Sequence, residues 1–155
     1  MNMQKYLKPQ VAAIQPSVIR KFFDLAAKME GVVSLGIGEP DFSTPLPFCE
    51  AGWRSMQQGK TGYSPNPGLL ELRQAISAYL QQLLGLTYRP EDQIVVTVGG
   101  SEAIDATCRA LLCPGDEVLI PEPAFVSYAP CVELCGALAV PLPPCAADGF
   151  KLTPQ

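Results

Sequence analysis

The residues best suited to chemistry are Gly99, Gly100 and Ser101. They follow a β-branched run, Ile94-Val95-Val96-Thr97-Val98, and precede a helical stretch from Glu102 to Leu112. Glycines let a backbone come close to a ligand. The first turn of a helix offers unpaired N–H groups and the positive end of the helix dipole, and Ser101 adds a hydroxyl. At the carboxyl end of a parallel strand, these features together can cradle a phosphate. The same residues also suit a tight turn with Ser101 as helix N-cap.

Neither the P-loop pattern nor the G-x-G-x-x-G dinucleotide fingerprint is present. Glu122, near the end of a second strand, lies about 20 residues past the glycines, where an acid that binds an NAD ribose would fall. This keeps an NAD-dependent oxidoreductase as a distant alternative, although Pro121 and Pro123 flank that residue. Phe125 sits just beyond the same strand, at the edge that faces the ligand crevice in a doubly wound sheet. Its ring suits either stacking on a flat cofactor or ordinary core packing. Two further loops, Gly38-Glu39-Pro40-Asp41 and Tyr63-Ser64-Pro65-Asn66-Pro67-Gly68, pair glycine with rigid prolines, as a preformed binding loop would. Asp41 also suits a turn cap.

Several elements must position these residues. Residues 1 to about 16 read as an extended arm. Val18, Phe22, Ala26 and Met29 then follow Pro16-Ser17 at helical spacing, and Gly31 is placed to end that helix. Val32 to Ile37 reads as a short strand. A helix from about Pro47 to Gln58 stops at Gly59. Leu69, Leu72, Ile76, Tyr79, Leu80 and Leu83 form an apolar stripe on the next helix, which Gly85 stops. The second half alternates: strand Ile94–Val98, helix, strand Glu117–Ile120, a helix near Phe125–Cys135 disturbed at Pro130, and strand Ala137–Leu142. That β-α-β-α-β order predicts an α/β fold with a parallel sheet and right-handed crossovers.

Composition bounds the function. The 155 residues are 48% hydrophobic and 17% charged, with a net charge of -4, which excludes a disordered tail and argues against nucleic acid as a partner. No apolar run approaches the roughly 18 residues of a membrane span, and residues 1–15 lack a signal-peptide core. The expected compartment is the cytoplasm. There is no histidine, so within these residues no mechanism rests on a histidine base or ligand. The six cysteines form no C-x-x-C pair. They read as free thiols rather than a disulfide framework or a metal site.

Four segments in order carry a resemblance: Ser34 to Pro45 (SLGIGEPDFSTP), Tyr63 to Arg73 (YSPNPGLLELR), Val96 to Ala103 (VTVGGSEA) and Leu112 to Tyr128 (LCPGDEVLIPEPAFVSY). The chain resembles the class I/II pyridoxal-phosphate-dependent aminotransferases of the aspartate aminotransferase-like subgroup, from about Val11 onward. The resemblance implies an enzyme that moves an amino group from an α-amino acid to a 2-oxo acid, with pyridoxal 5'-phosphate as cofactor and a homodimer as assembly. It implies that Gly100, Ser101 and the Glu102 backbone hold the cofactor phosphate. It further implies that Phe125 stacks on the pyridine ring and that Tyr63 reaches the phosphate across the dimer. Gly38 would contact the substrate carboxylate through its N–H, and Ile14 would line the substrate entrance. Residues 1–45 would be arm and small-domain elements. Residues 46–155 would be the first, incomplete part of the cofactor domain.

One departure from the family is expected to matter. The lysines are Lys5, Lys8, Lys21, Lys28, Lys60 and Lys151, and none lies in the family's Schiff-base motif. The family's pyridine-nitrogen aspartate and carboxylate-binding arginine also belong to later sequence. The resemblance thus implies the N-terminal portion of an aminotransferase, and no turnover by these residues alone. The alternative reading is a catalytically inactive phosphate-binding or dimerisation module, whose apolar surfaces are meant to be covered.

Overall fold

The structure is a computed structural model that describes residues 3–14, 22, 23, 25, 26, 28–33, 38, 40–144 and 146–152. It divides into two compact units. One comprises Met1–Lys21 with Val98–Gln155, and the other Phe22–Thr97.

The first unit is built on two parallel strands, β1 (Glu117–Pro121) and β2 (Leu138–Leu142). Their register pairs Glu117 with Leu138 and Pro121 with Leu142. Helix α4 (Gly99–Leu111) precedes β1, and α5 (Tyr128–Leu134) connects the two strands. Alternation puts Val118 and Ile120 on one face of β1. That face packs on α5 around Ile120, Val132 and Ala137, with Cys108, Leu112 and Tyr128 closing over the cluster. Val132 is the most enclosed of these, at 2% exposed. Gly136, at φ +79, turns the chain from α5 into β2. There the Gly115 N–H donates to the Gly136 carbonyl (3.0 Å) and the Leu138 N–H to the Asp116 carbonyl (2.7 Å), tying the entrances of the two strands together.

Three expectations change here. The N-terminal arm is not simply extended: α1 (Pro9–Ala13) is a short helix with proline at its start, and it packs against α5. Proline is pre-organised for that position because its fixed φ is helical and its missing N–H is not needed. Helix α4 begins at Gly99, not Glu102, so both glycines and Ser101 lie inside its first turn. The helix in the connection begins at Tyr128, so Pro130 falls in the first turn, where proline removes no helical hydrogen bond, and the helix is undisturbed.

The second unit holds α2 (Leu46–Gln57) and α3 (Leu70–Leu84). Helix α3 ends as expected: Gly85 is left-handed at φ 70, and its N–H donates to the Gln81 carbonyl at 3.0 Å. Its inner face, however, is Arg73, Ile76, Ser77 and Leu80, while Leu72, Tyr79 and Leu83 stay exposed. The expected stripe was therefore rotated by about one residue, because a buried arginine occupies the inner face. The Ile94–Val98 run is not a paired strand, and the described sheet has two strands rather than three. A strand exists by its ladder. Within this run the Val96 N–H donates to the Pro67 carbonyl, in a loop (3.0 Å). Val32 and Val33 are likewise not in a strand, and residues 34–37 of that expected strand lie outside the described residues. Of the expected helix before Gly31, Phe22, Phe23, Leu25 and Ala26 are helical, and residues 15–21 lie outside the described set. Among the described residues, no helix is long and apolar enough to cross a membrane.

Candidate functional site

The first turn of α4 is an open N-terminus. Its N-cap residue is Val98, which has no side chain able to cap. The Val98 N–H itself donates to the Glu102 carboxylate. Gly99 takes φ +83, a left-handed value that an L side chain would strain. A Cβ built on Gly99 or on Gly100 would meet nothing within 4 Å, so the space in front of this turn is open. Gly100 and Ser101 occupy the second and third helical positions, whose N–H groups have no partner inside any α-helix. Ser101 and Glu102 are exposed. The turn thus presents backbone donors, one hydroxyl and a positive dipole end to a space that an anion can enter. The Glu102 carboxylate, drawn back to Val98, is the one acidic group in that turn.

Phe125 is 57% exposed and is not a core ring. It meets Tyr128 edge-on, with ring centroids 5.9 Å apart and planes at 68°. It lines an open pocket of about 310 Å³ with Ile120, Glu122, Ala129, Glu133 and Pro141. That pocket contains two carboxylates and neither Gly100 nor Ser101. Its chemistry does not suit a phosphate. The Glu122–Pro123 peptide just before it is cis.

Ile14 caps the C-terminal end of α1 and is partly buried. Gly38 is exposed, with open space where a Cβ would go. Glu39 lies outside the described residues. Tyr63 is fully exposed, at the head of the 63–68 loop. The first unit therefore carries Gly100, Ser101, Glu102, Phe125 and Ile14, and the second carries Gly38 and Tyr63.

The sequence reading missed Arg73. Its side chain is buried at 6% exposed. Nε donates to the Gly68 carbonyl at 3.2 Å, and Nη1 to the carbonyls of Pro90 and of Glu91, the latter at 3.1 Å. A charged residue on the edge of an apolar stripe was the available signal.

The thiols are free among the described residues. Burial, then the neighbouring Cys135, lifts the Cys108 thiol above its ordinary value of 9.0. Burial, then Asp105, lifts Cys131 in the same way. Both stay protonated near neutrality and are poor nucleophiles. Iodoacetamide is expected to label exposed Cys49 and Cys113 well before Cys108 and Cys131, as read by peptide mass spectrometry. Equal labelling rates would contradict the packing of α4 on α5. The folded values are raised, so the unfolded thiols ionise first. Stability that is complete below about pH 9 should fall as pH rises through the folded values.

Comparison with known proteins places these features. Residues 30–155 match the profile of the family described as aminotransferase class I and II. The chain is 51% identical over 151 residues to a putative aminotransferase, YugH, of Bacillus subtilis, covering 97% of this chain and 39% of that protein. It is 44% identical over 147 residues to aromatic-amino-acid aminotransferase 2 of Thermococcus litoralis, covering 95% of this chain and 38% of that one. Among solved structures, the aspartate aminotransferase of Thermus thermophilus with maleate superposes with a TM-score of 0.87 at 39% identity, covering 96% of this chain and 40% of that chain. The chain thus spans about two fifths of the length of the relatives it matches. Its α/β architecture is that of the aminotransferases it superposes on. On this profile match and these identities, the chain belongs to the class I and II aminotransferase family.

Proposed function

We propose that the protein carrying this chain is a pyridoxal-phosphate-dependent aminotransferase that moves an amino group from an α-amino acid to a 2-oxo acid. The observation that carries the reading is the first turn of α4, open in front of Gly99 and Gly100 and strained at Gly99 for any residue but glycine. This turn fits a phosphate: it offers the N–H groups of Gly100 and Ser101 and the Ser101 hydroxyl at a positive dipole end. Gly100 and Ser101, with the Glu102 backbone, would hold the phosphate group, and Phe125 would lie along the ring. When bound, the cofactor supplies an electron sink for the substrate's α-carbon.

The chain's own residues bind and orient. Ser101 Oγ and the N–H groups of Gly100 and Ser101 would hold the phosphate. Phe125, exposed beside the end of β1, offers an apolar face that excludes water from one side of the cofactor ring. Tyr63 would reach the phosphate across a homodimer. Gly38 would give its N–H to the substrate carboxylate, and Ile14 would line the entrance. Residues 1–45 would serve as arm and small-domain elements, with residues 46–155 as the first part of the cofactor domain. The cytoplasm is the proposed compartment.

The test is a coupled assay on the intact protein, with a panel of α-amino acids and 2-oxoglutarate and chromatographic detection of the keto acid. Conversion that depends on added pyridoxal phosphate is expected. Phosphate-ester binding with no conversion of any amino acid would favour the inactive binding module instead.

A further inference from the structure

The buried guanidinium of Arg73 is the least expected group in the second unit. Placing an arginine in a protein interior costs several kcal/mol unless its donors are met. Among the described residues no carboxylate pairs with it; the partners it has are backbone carbonyls from two separate loops. Through Nε it holds Gly68, the last residue of the loop that begins at Tyr63. Through Nη1 it holds Pro90 and Glu91.

Both loops are otherwise stiff. The Gly68 N–H donates to the Pro65 carbonyl at 2.8 Å, closing a turn over Pro65-Asn66-Pro67-Gly68. The Pro67 carbonyl accepts from the Val96 N–H at 3.0 Å. Residues 89–93 close on themselves through the Gln93 N–H to the Arg89 carbonyl (3.0 Å) and through Arg89 Nε and Nη2 to Asp92 (2.9 and 2.8 Å). The first turn of α3 therefore projects one planar fork that fastens two preformed loops to the helix. Only Ser64 separates Tyr63 from the first residue of that turn, Pro65, whose ring fixes φ there.

We propose that Arg73 is a positioning residue for Tyr63, setting where its hydroxyl stands and so how tightly the phosphate end of the cofactor is held. This rests on the reading above that Tyr63 reaches that phosphate. Arginine is needed for its shape. Nε and Nη1 serve different loops at once, whereas a lysine ammonium of the same charge reaches one of them.

The experiment compares pyridoxal phosphate with pyridoxal, which lacks the phosphate, as ligands of the intact apoprotein by fluorescence titration. Tyr63→Phe removes one hydrogen bond to a charged group and should lower the affinity ratio of the two ligands by about tenfold. Arg73→Lys and Arg73→Ala should lower the same ratio by a similar factor, and Arg73→Lys combined with Tyr63→Phe should lower it little further. Ser77→Ala is the control. Ser77 Oγ donates to the Tyr88 carbonyl at 2.5 Å, so this change loosens the 86–93 segment without touching Gly68. It should leave the ratio unchanged, and an equal fall there would overturn the proposal by making loop stability alone the cause. A lowered ratio in Tyr63→Phe with an unchanged ratio in Arg73→Lys would overturn the role of Arg73 and leave the reading of Tyr63 standing. An unchanged ratio in Tyr63→Phe would overturn both.

Discussion

Gly68→Ala should destabilise the protein by about 3 kcal/mol, the sum of a left-handed backbone penalty of about 1–2 kcal/mol and an overpacking cost of about 1–3 kcal/mol. Gly68 stands at φ +95, and a Cβ there would lie 2.8 Å from both Cβ and Cγ2 of Val96. Neither side can yield easily. Val96 is fixed by its N–H bond to the Pro67 carbonyl, and Gly68 by its own N–H to Pro65 and its carbonyl to Arg73. The measurement is chemical denaturation of the intact protein. Val96→Ala in the same chain should recover part of the loss, because it removes the Cγ2 contact but leaves the Cβ contact and the φ strain. A Gly68→Ala protein as stable as the parent would mean that the turn and the 94–98 run do not touch.

How legible was all this in the residues? The helices with clear stops were: Gly59 and Gly85 end α2 and α3, because a glycine in the left-handed region satisfies the last carbonyls at no Cβ cost. The α/β order of the second half also followed from β-branched runs separated by glycine and proline. The Ile94–Val98 strand did not, for a physical reason. Its pattern is that of a strand buried on both faces, but a ladder needs neighbours, and a one-dimensional pattern is silent about them. The partners of Arg73 were hidden for the opposite reason, although its place beside the apolar stripe was a signal. Its partners are carbonyls, which every residue carries, so no spacing of side chains announces them.

The candidate site divides in the same way. Gly99, Gly100 and Ser101 read in sequence either as a phosphate cradle or as a tight turn with Ser101 as N-cap, because both uses favour glycine before a helix. Phe125 suited either stacking on a flat cofactor or core packing, and its 57% exposure speaks against the core. The start of α4 at Gly99 sharpened the site, since it moves Ser101 from capping the helix to standing within its first turn.

That placement yields the second large effect. Ser101→Asp should weaken pyridoxal phosphate binding by the intact protein on the order of a hundredfold, while pyridoxal binding changes little. A carboxylate about 4 Å from a phosphate opposes it by about 4 kcal/mol at an effective dielectric of 20, and exposure of the turn screens part of that. Ser101→Ala, which only removes a hydroxyl donor, should cost about tenfold. Gly100→Ala separates the cradle from ordinary helix stability. A Cβ there meets nothing within 4 Å, and Gly100 is not in the left-handed region. The protein should then gain up to about 1 kcal/mol of stability from the better helix former. Yet the added methyl stands where a phosphate would approach the backbone, so affinity for pyridoxal phosphate should fall as the melting temperature rises. Opposite movement of those two quantities is the mark of a glycine kept for a ligand rather than for the fold. If Gly100→Ala is more stable and binds pyridoxal phosphate as tightly as before, the phosphate does not lie against this turn. The glycines would then serve only the chain's entry into α4.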